Sequence, residues 1–181
     1  MQQPTLVNRE PIYESKYTSL VKDTISINGG HFPREVIHRP PAVVIVPVTT
    51  KSTYFLVRQW RHAAQAFLLE FPAGKVEEGM TLEETAYKEL EEEIGFAAGY
   101  IEDCGTFFAS PGYSTEELTV YFAKNLMPKK AEGDPDEDIE VVEMTYNDIQ
   151  NAILNKEIRD SKTIAAFYLY SIRRNIIHSY A

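Results

Sequence analysis

The stretch from Gly74 to Phe96, GKVEEGMTLEETAYKELEEEIGF, predicts a helix that is crowded with glutamate. Thr81 stands before the helix and Glu84 follows three residues later, which is the pattern of a capping box. Gly95 is suited to end the segment, because glycine is common just after the last turn of a helix. The apolar residues that recur at helical spacing are Leu82, Ala86, Leu90 and Ile94. The stretch is therefore predicted to be one amphipathic helix.

Three glutamates of this helix, Glu89, Glu92 and Glu93, fall within about a third of its circumference at about 100° per residue. Like charges one turn apart repel by about 0.2–0.5 kcal/mol for each exposed pair. Within the helix only Lys88 is basic, its pairing with Glu92 has the weaker lysine-first order, and no other positive charge is expected nearby. Clusters of oxygen ligands suit hard cations such as Mg²⁺ or Mn²⁺. The trio is either a solvated acidic face or a metal site.

The composition is that of a globular protein of about one domain. The chain has 181 residues, of which 44% are hydrophobic and 25% charged. A formal net charge of −9 argues against a nucleic-acid partner. No apolar run approaches the roughly 20 residues that span a bilayer, and the start lacks an apolar signal core, so we expect a cytoplasmic protein without a membrane partner. A single cysteine, Cys104, excludes an internal disulfide.

The order of the predicted elements indicates an α+β fold. Residues 1–40 contain a strand, an Asn-Gly-Gly turn and a second strand, which predicts a small antiparallel sheet. Residues 41–181 begin with the apolar run AVVIVPV, which is typical of a buried strand, and end with two helical segments. Strands outnumber helices and do not alternate with them regularly, which favours a mixed sandwich over a doubly wound sheet.

The glutamate-rich helix resembles the Nudix box, G-x5-E-x7-R-E-U-x-E-E-x-G-U, where U is a bulky aliphatic residue. Gly74 opens the box, and Phe96 fills its last position. The remaining matches are Glu89, Leu90, Glu92, Glu93 and Gly95. Two positions depart from the pattern, since Met80 replaces the first glutamate and Lys88 replaces the arginine. In the family those two side chains form an ion pair that supports the loop. The departure therefore affects the support of the loop and leaves the metal ligands unchanged.

Four further stretches resemble one branch of the Nudix hydrolases, the ADP-ribose and nucleoside-diphosphate-sugar pyrophosphatases. These stretches are LVRQWR, LLEFPAGKVEEG, SPGYSTE and KEIRDSKTIAA. The resemblance implies a Nudix α/β/α sandwich with a mixed sheet over residues 41–181, preceded by the small N-terminal sheet of residues 1–40. In relatives that sheet is exchanged between two subunits, which implies a homodimer.

The resemblance also implies a metal site and a general base. Glu89 and Glu93 are expected to bind Mg²⁺ or Mn²⁺ directly, Glu92 to assist in binding and catalysis, and the carbonyl of Ala73 to provide a further ligand. Glu116 holds the acidic position of the S-P-G loop and is the expected base for the attacking water. The neighbouring Glu117 remains an alternative for this role.

Five residues are candidates for substrate binding, and each has a plain structural alternative. The guanidinium groups of Arg58 and Arg61 suit diphosphate oxygens, although surface salt bridges explain them equally well. Glu70 resembles a glutamate that faces the substrate in the family, and its alternative is pairing with an arginine. Tyr17 and Phe32 are candidates for stacking on a base, and their alternative is ordinary packing.

The resemblance implies a metal-dependent hydrolase that cleaves nucleoside diphosphate sugars to a nucleoside monophosphate and a sugar phosphate. ADP-ribose is the leading substrate, with GDP-mannose and other sugar nucleotides open. One alternative is a Nudix-fold sensor that binds ADP-ribose without cutting it, and the retained glutamates argue against it. Another is hydrolysis of nucleoside triphosphates or dinucleoside polyphosphates, against which the N-terminal extension and the S-P-G loop argue. The preferred base and sugar are not fixed by the sequence.

Overall fold

A computed structural model describes residues 2–129, 131, 133 and 138–179, with the backbone alone for residues 175–179. The chain forms two compact units. The first consists of the residues up to Pro41 together with Phe107–Glu117, and the second of Ala42–Thr106 and the residues from Leu118 onward. The segment Phe107–Glu117 thus groups with the residues up to Pro41. The division into residues 1–40 and 41–181 that the sequence indicated stays a prediction.

The first unit contains a three-stranded antiparallel sheet in the order β1-β2-β3. Its strands are β1 (Thr5–Glu14), β2 (Ser19–Ile27) and β3 (Gly30–His38). Asn28 and Gly29 join β2 to β3 with φ values of 50° and 80°, the positive values that a two-residue hairpin turn demands. The predicted hairpin is therefore present. Strand β1 was not predicted, because its mixed polar sequence lacks a clear alternation.

The S-P-G loop is fastened to the end of β3 within this first unit. Ile37 donates its backbone N–H to Tyr113 at 2.7 Å and accepts one from Thr115 at 3.0 Å, which forms a short parallel bridge. The hydroxyl of Thr115 also accepts the backbone N–H of Arg39 at 3.1 Å. These bonds fix the backbone on either side of Ser114, and they explain why the loop groups with the N-terminal strands.

The second unit contains two sheets, of four and three strands. The first has the order β7-β4-β9-β8 and the second the order β10-β5-β6. The strands are β4 (Ala42–Pro47), β5 (Thr53–Arg61), β6 (Ala66–Glu70), β7 (Ala73–Lys75), β8 (Phe96–Phe108), β9 (Glu117–Pro128) and β10 (Ile139–Thr145). Strand β4 is buried throughout, as its apolar run predicts, and it pairs in parallel with β9 and antiparallel with β7. The sheet is therefore mixed.

Among the described residues, three α-helices complete the second unit. They are α1 (Leu82–Glu89), α2 (Tyr146–Leu154) and α3 (Ser161–Ser179). Helix α1 packs its apolar stripe into a core that includes Val43, Ile45 and Val57 from the strands. No helix in the described ranges has both the length and the apolar character needed to cross a membrane.

Candidate active site

The turn at Pro72-Ala73-Gly74 is held from two sides within the second unit. Ile45 of β4 donates its backbone N–H to the Pro72 carbonyl at 2.8 Å. The Phe71 backbone N–H donates to the hydroxyl of Thr163 in α3 at 2.9 Å, and the Phe71 side chain is fully buried. The backbone of this turn is therefore fixed before any ligand binds.

Two carboxylates of the glutamate-rich helix converge on this turn. The Oε2 atom of Glu93 accepts the Ala73 backbone N–H at 3.1 Å, and Glu93 is only 6% exposed. The Glu89 carboxylate occupies the space beside Gly74, where a Cβ atom added to the glycine would overlap it. Any side chain at position 74 would thus displace Glu89. The glycine that opens the box is explained by this close approach.

The predicted helix is present, but its last turn is not α-helical. The capping box is formed as predicted, with Glu84 N–H donating to the Thr81 hydroxyl at 3.1 Å and Thr81 N–H donating to Glu84 at 2.8 Å. Helix α1 ends at Glu89, and Leu90–Ile94 forms a π-helical turn that closes at Gly95 with a φ of 74°. Such turns are frequent at functional sites, and this one carries Glu93. Side-chain spacing alone does not distinguish it from a regular α-helical turn.

Lys88 forms an ion pair in place of the one that is missing from the box, but its partner is at a different position. Its Nζ atom lies 3.0 Å from Glu77 and 3.3 Å from Glu92. Burial opposes the charge of Lys88, but hydrogen bonds to the two carboxylates raise its pKa well above the ordinary value. Although Met80 cannot pair with Lys88, Glu77 supplies a carboxylate three residues earlier. The loop before α1 is therefore still tied to the helix by charge.

A second lysine overturns the expectation that no other positive charge lies near the helix. Lys129, just after β9, lies 2.8 Å from Glu91. Lysines thus offset part of the repulsion between the glutamates. Glu89 and Glu93 of this segment lie against the 73–74 turn.

The donor chemistry at the turn fits a hard divalent cation. Glu89, Glu93 and the predicted carbonyl ligand of Ala73 would contribute oxygen atoms alone, which Mg²⁺ and Mn²⁺ prefer. Glu92 is directed to Lys88 instead. In the part of the chain that is described, no three His, Cys, Asp or Glu side chains are grouped closely enough to hold a metal together. The structure thus brings two of the three predicted carboxylate ligands to the turn.

Beside this turn lies a buried ion-pair network centred on Glu70. Arg61 donates to both Glu70 oxygens, at 2.9 and 2.6 Å, and Lys162 forms a short ion pair with Glu70. Glu70 is 1% exposed. Lys162 also lies 3.0 Å from Asp160, which caps α3 by accepting the Thr163 N–H at 2.9 Å. The predicted substrate contact of Glu70 is not the arrangement found, since both of its oxygens are used to hold basic side chains.

The charges in this network favour the ionised form of Glu70. Burial alone would raise the pKa of Glu70, but the hydrogen bonds from Arg61 and the charge of Lys162 lower it below the ordinary glutamate value. Burial likewise disfavours the charge of Arg61, whereas Glu70 and the nearby Glu93 raise the pKa of its guanidinium. Arg61 therefore remains charged, close to the Glu93 carboxylate.

Arg58 and Arg61 are not brought together as a joint diphosphate clamp. They are three residues apart in β5, so alternation along the strand directs their side chains to opposite faces. Arg58 is exposed and lies 3.7 Å from Glu140 of β10, whereas Arg61 binds Glu70. Arg58 thus adopts the surface salt bridge that was its structural alternative.

In the first unit, the expected base Glu116 is paired with an arginine that the sequence analysis did not consider. The Arg39 Nε atom lies 3.0 Å from Glu116 Oε1, and the Glu116 backbone N–H donates to the Ser114 hydroxyl at 3.2 Å. The Arg39 Nε atom is buried and its angle to Glu116 is too poor for a hydrogen bond, so the contact is an ion pair. Glu117 is exposed at the start of β9. Only the fold reveals Arg39, because 76 residues separate it from Thr115 beside Glu116.

Tyr17 and Phe32 lie at opposite ends of the N-terminal sheet. Phe32 pairs with Ile25, whereas Tyr17 precedes Ser19 at the other end of β2. The six residue steps from Ser19 to Ile25 span about 20 Å in a strand. Both aromatic side chains are partly exposed, and Lys16 stacks over the Tyr17 ring at 4.5 Å. The two predicted stacking residues therefore form no common platform within one chain.

The chain is similar to several curated proteins over nearly its whole length. An ADP-ribose pyrophosphatase of Bacillus subtilis (strain 168) is 33% identical over 170 residues, which cover 92% of each chain. A protein named methanol dehydrogenase activator, from Bacillus methanolicus, is 33% identical over 175 residues, which cover 95% of each chain. A GDP-mannose pyrophosphatase of Escherichia coli (strain K12 / DH10B) is 30% identical and covers 90% of this chain and 92% of its own.

A solved structure and a family model agree with these similarities. The crystal structure of an ADP compounds hydrolase superimposes with a TM-score of 0.87 at 24% identity, covering 99% of this chain and 97% of its own. That match confirms the predicted α+β class with an antiparallel N-terminal sheet. The model of the NUDIX domain matches residues 38–167, which include the box, the S-P-G loop and the start of α3. The predicted membership is thereby confirmed, and the chain belongs to the Nudix family.

Proposed function

We propose that the protein is a divalent-metal-dependent hydrolase of nucleoside diphosphate sugars, with ADP-ribose as its leading substrate. Water would attack one phosphorus of the diphosphate and release a nucleoside monophosphate and a sugar phosphate. The convergence of Glu89 and Glu93 on the Ala73-Gly74 turn carries this proposal. The similarity to pyrophosphatases that are named for ADP-ribose and GDP-mannose supports the substrate class.

The second unit supplies the groups that handle charge. A bound Mg²⁺ or Mn²⁺ would withdraw negative charge from the diphosphate oxygens. Glu89, Glu93 and the Ala73 carbonyl would hold the cation, and Glu92, which pairs with Lys88, would assist. Arg61 is kept charged and oriented by Glu70, so its guanidinium is available to a phosphate oxygen at its exposed side. The network of Glu70 and Lys162 therefore positions Arg61.

Glu116 is the proposed proton acceptor. The Glu116 carboxylate takes the proton of the attacking water, and Arg39 holds that carboxylate in one orientation. The backbone bonds between Ile37, Tyr113 and Thr115 support the loop that presents it. A base that is already held in place reduces the entropy cost of reaching the transition state. Tyr17 and Phe32 offer exposed rings for base stacking.

We further propose that the protein is a cytoplasmic homodimer assembled through its N-terminal sheet. All residues of β1 are exposed, including the apolar side chains of Leu6, Val7, Ile12 and Tyr13. Exposed apolar groups in one sheet are typical of a surface that a partner covers. A second copy of the chain is the partner that the family resemblance favours.

The decisive experiment measures hydrolysis of a panel of sugar nucleotides in Mg²⁺, with ADP-ribose and GDP-mannose as main members and a nucleoside triphosphate for comparison. Glu93→Gln and Glu116→Gln are each expected to lower kcat by about 10²-fold or more, because each removes an interaction used in the transition state. Glu91→Gln and Glu117→Gln are matched controls in the same helix and loop, and should stay within a few-fold of wild type.

Three outcomes would contradict this assignment. Full activity of Glu93→Gln would remove the metal role of the helix. If Glu117→Gln and not Glu116→Gln lost activity, the base would be Glu117. Tight binding of ADP-ribose without any product would indicate the sensor alternative instead.

A further inference from the structure

The second unit contains a cavity of about 220 Å³ that the proposed reaction does not use. It lies beyond the end of β4, where Val48 lines it, whereas the Ala73 turn pairs with Val44. Four residues along a strand span about 13 Å, so the cavity and the turn lie at different ends of this strand. The side chains that carry the argument are Tyr54, Phe122, Lys124, Tyr170, Arg173 and Arg174.

The lining is positively charged although the chain as a whole is acidic. Among the described residues of the lining, three side chains are basic and Glu102 alone is acidic. Arg173 donates to Glu102 at 2.7 Å and Tyr100 does so at 2.7 Å, so this carboxylate is already engaged. For these described residues, three positive charges less one negative charge leave a net charge of +2, in a protein whose net charge is −9.

Lys124 and Arg174 are held in place by aromatic rings. The Nζ atom of Lys124 lies 4.4 Å from the centre of the Tyr100 ring, and the guanidinium of Arg174 lies 5.1 Å from that of Tyr146. Among the described residues, neither cation is within salt-bridge distance of a carboxylate. Ring faces orient a cation without neutralising it, so both remain able to attract an anion.

The cavity is also lined by a buried hydroxyl group that makes only weak hydrogen bonds. The Tyr54 side chain is 1% exposed, and its hydroxyl contacts the Tyr170 hydroxyl at 3.4 Å and Arg174 Nη1 at 3.5 Å. Both distances exceed the usual range of about 2.5–3.2 Å, so these bonds are weak. A buried hydroxyl with weak bonds gains from a closer partner. The rings of Phe122 and Tyr170, with centres 5.2 Å apart, form an apolar wall beside it.

We propose that this cavity binds a small anion that carries a planar ring, with its carboxylate or phosphate between Lys124 and Arg174. Its volume corresponds to roughly seven water molecules at about 30 Å³ each, which fits one ring with one charged group. The ring packs on Phe122 and Tyr170. This site is separate from the proposed hydrolytic site, and its occupancy is independent of divalent metal.

Isothermal titration calorimetry in EDTA tests the proposal with phenyl phosphate, benzoate, inorganic phosphate and neutral phenol as probes. We expect saturable binding of at least one ring-bearing anion, and binding at least tenfold weaker for inorganic phosphate and phenol. Lys124→Ser and Arg174→Ser should each weaken it at least tenfold while sugar-nucleotide hydrolysis stays unchanged. Lys22→Ser, which removes one exposed cation of the N-terminal sheet, is the charge-matched control and should bind as wild type.

The following results would contradict the proposed anion site. The proposal is wrong if neither ring-bearing anion binds at millimolar concentration, or if both cavity variants bind as tightly as wild type. Equal weakening by Lys22→Ser would indicate only a general effect of net charge. Near-ultraviolet circular dichroism of each variant establishes that it is folded. Because Lys124 is exposed, Lys124→Ser is the variant whose folding depends least on packing.

Discussion

At the scale of single residues, Gly74 is the position where the site is most sharply defined. A Cβ atom at this position would overlap the Glu89 carboxylate, which is the far end of a flexible side chain. We expect Gly74→Ala to cost less than about 1 kcal/mol of unfolding free energy, because the carboxylate can swing away. Hydrolysis should nevertheless fall at least tenfold, with a higher Mg²⁺ requirement. Metal-dependent kinetics and urea unfolding measure the two effects.

A matched glycine separates this effect from a general one. In Gly133→Ala, the added Cβ would meet only the Glu92 carbonyl oxygen and carbon, at 3.5 and 4.0 Å, which is ordinary contact. This variant should keep both its activity and its Mg²⁺ requirement. If Gly74→Ala behaves in the same way, Glu89 is not held against the turn when the enzyme works.

Glu70 gives a prediction about stability and pH. Replacing it with Gln leaves Arg61 and Lys162 facing a neutral group, which should lower the unfolding free energy by about 3 kcal/mol at pH 7. Because the folded pKa of Glu70 is lowered, its ionised form stabilises the protein above the unfolded pKa of about 4.3. This contribution is lost as pH falls through the lower, folded pKa.

The measurement compares urea unfolding of wild type and Glu70→Gln at pH 7 and near pH 3. The difference between the two proteins should shrink at the lower pH. Glu78→Gln, at an exposed position in the loop before α1, should change the free energy by less than about 0.5 kcal/mol. A difference that is constant with pH would show that Glu70 contributes through packing and not through its charge.

At the scale of elements, the glutamate-rich helix shows how repulsion is divided between lysines and a cation. Lys88 neutralises Glu77 and Glu92, and Glu89 and Glu93 face the proposed metal site. In Lys88→Met, the repulsion should increase and lower the unfolding free energy by about 1 kcal/mol in EDTA. Saturating Mg²⁺ should reduce that loss, because the cation then offsets the charge of the helix.

Thermal unfolding with and without Mg²⁺ measures this difference. Lys129→Met removes a lysine whose one ion pair among the described residues is with Glu91, and its smaller effect should not depend on Mg²⁺. The charge-reversed double variant Glu77→Lys with Lys88→Glu rebuilds the loop pair but leaves Glu92 repelled. It should recover part of the stability only. An equal loss for Lys88→Met in EDTA and in Mg²⁺ would contradict the proposed cation.

The same elements show how far local sequence determines structure. The capping box of α1, the Asn28-Gly29 hairpin and the buried strand β4 were predictable, because each depends on residues close together in the chain. The π-helical turn Leu90–Ile94 was not, since its apolar spacing also suits an α-helix. Strand β1 is defined by pairing with β2, and its own exposed residues carry no alternation that marks a strand.

At the scale of the whole molecule, the predictions that failed concern contacts between distant residues. The motifs correctly indicated the family. The partner of each charged side chain was not predictable, because Lys162 meets Glu70 across 92 residues and Lys129 meets Glu91 across 38. The grouping of Phe107–Glu117 with the N-terminal strands likewise depends on bonds to Ile37 and Arg39. Sequence reasoning indicated candidate reactive groups, and the fold shows which side chains contact them.

The oligomeric state is a property of the whole molecule. The apolar side chains exposed on β1 predict that the protein is a dimer at micromolar concentration. Ile12→Asp places a charge among them and should shift the protein to monomer, with at least tenfold lower activity if the partner's sheet completes the site. Val141→Asp puts the same charge at an exposed position of β10 and should leave the dimer intact. Light scattering coupled to gel filtration measures the mass, and a fully active wild-type monomer would refute the exchange of the N-terminal sheet.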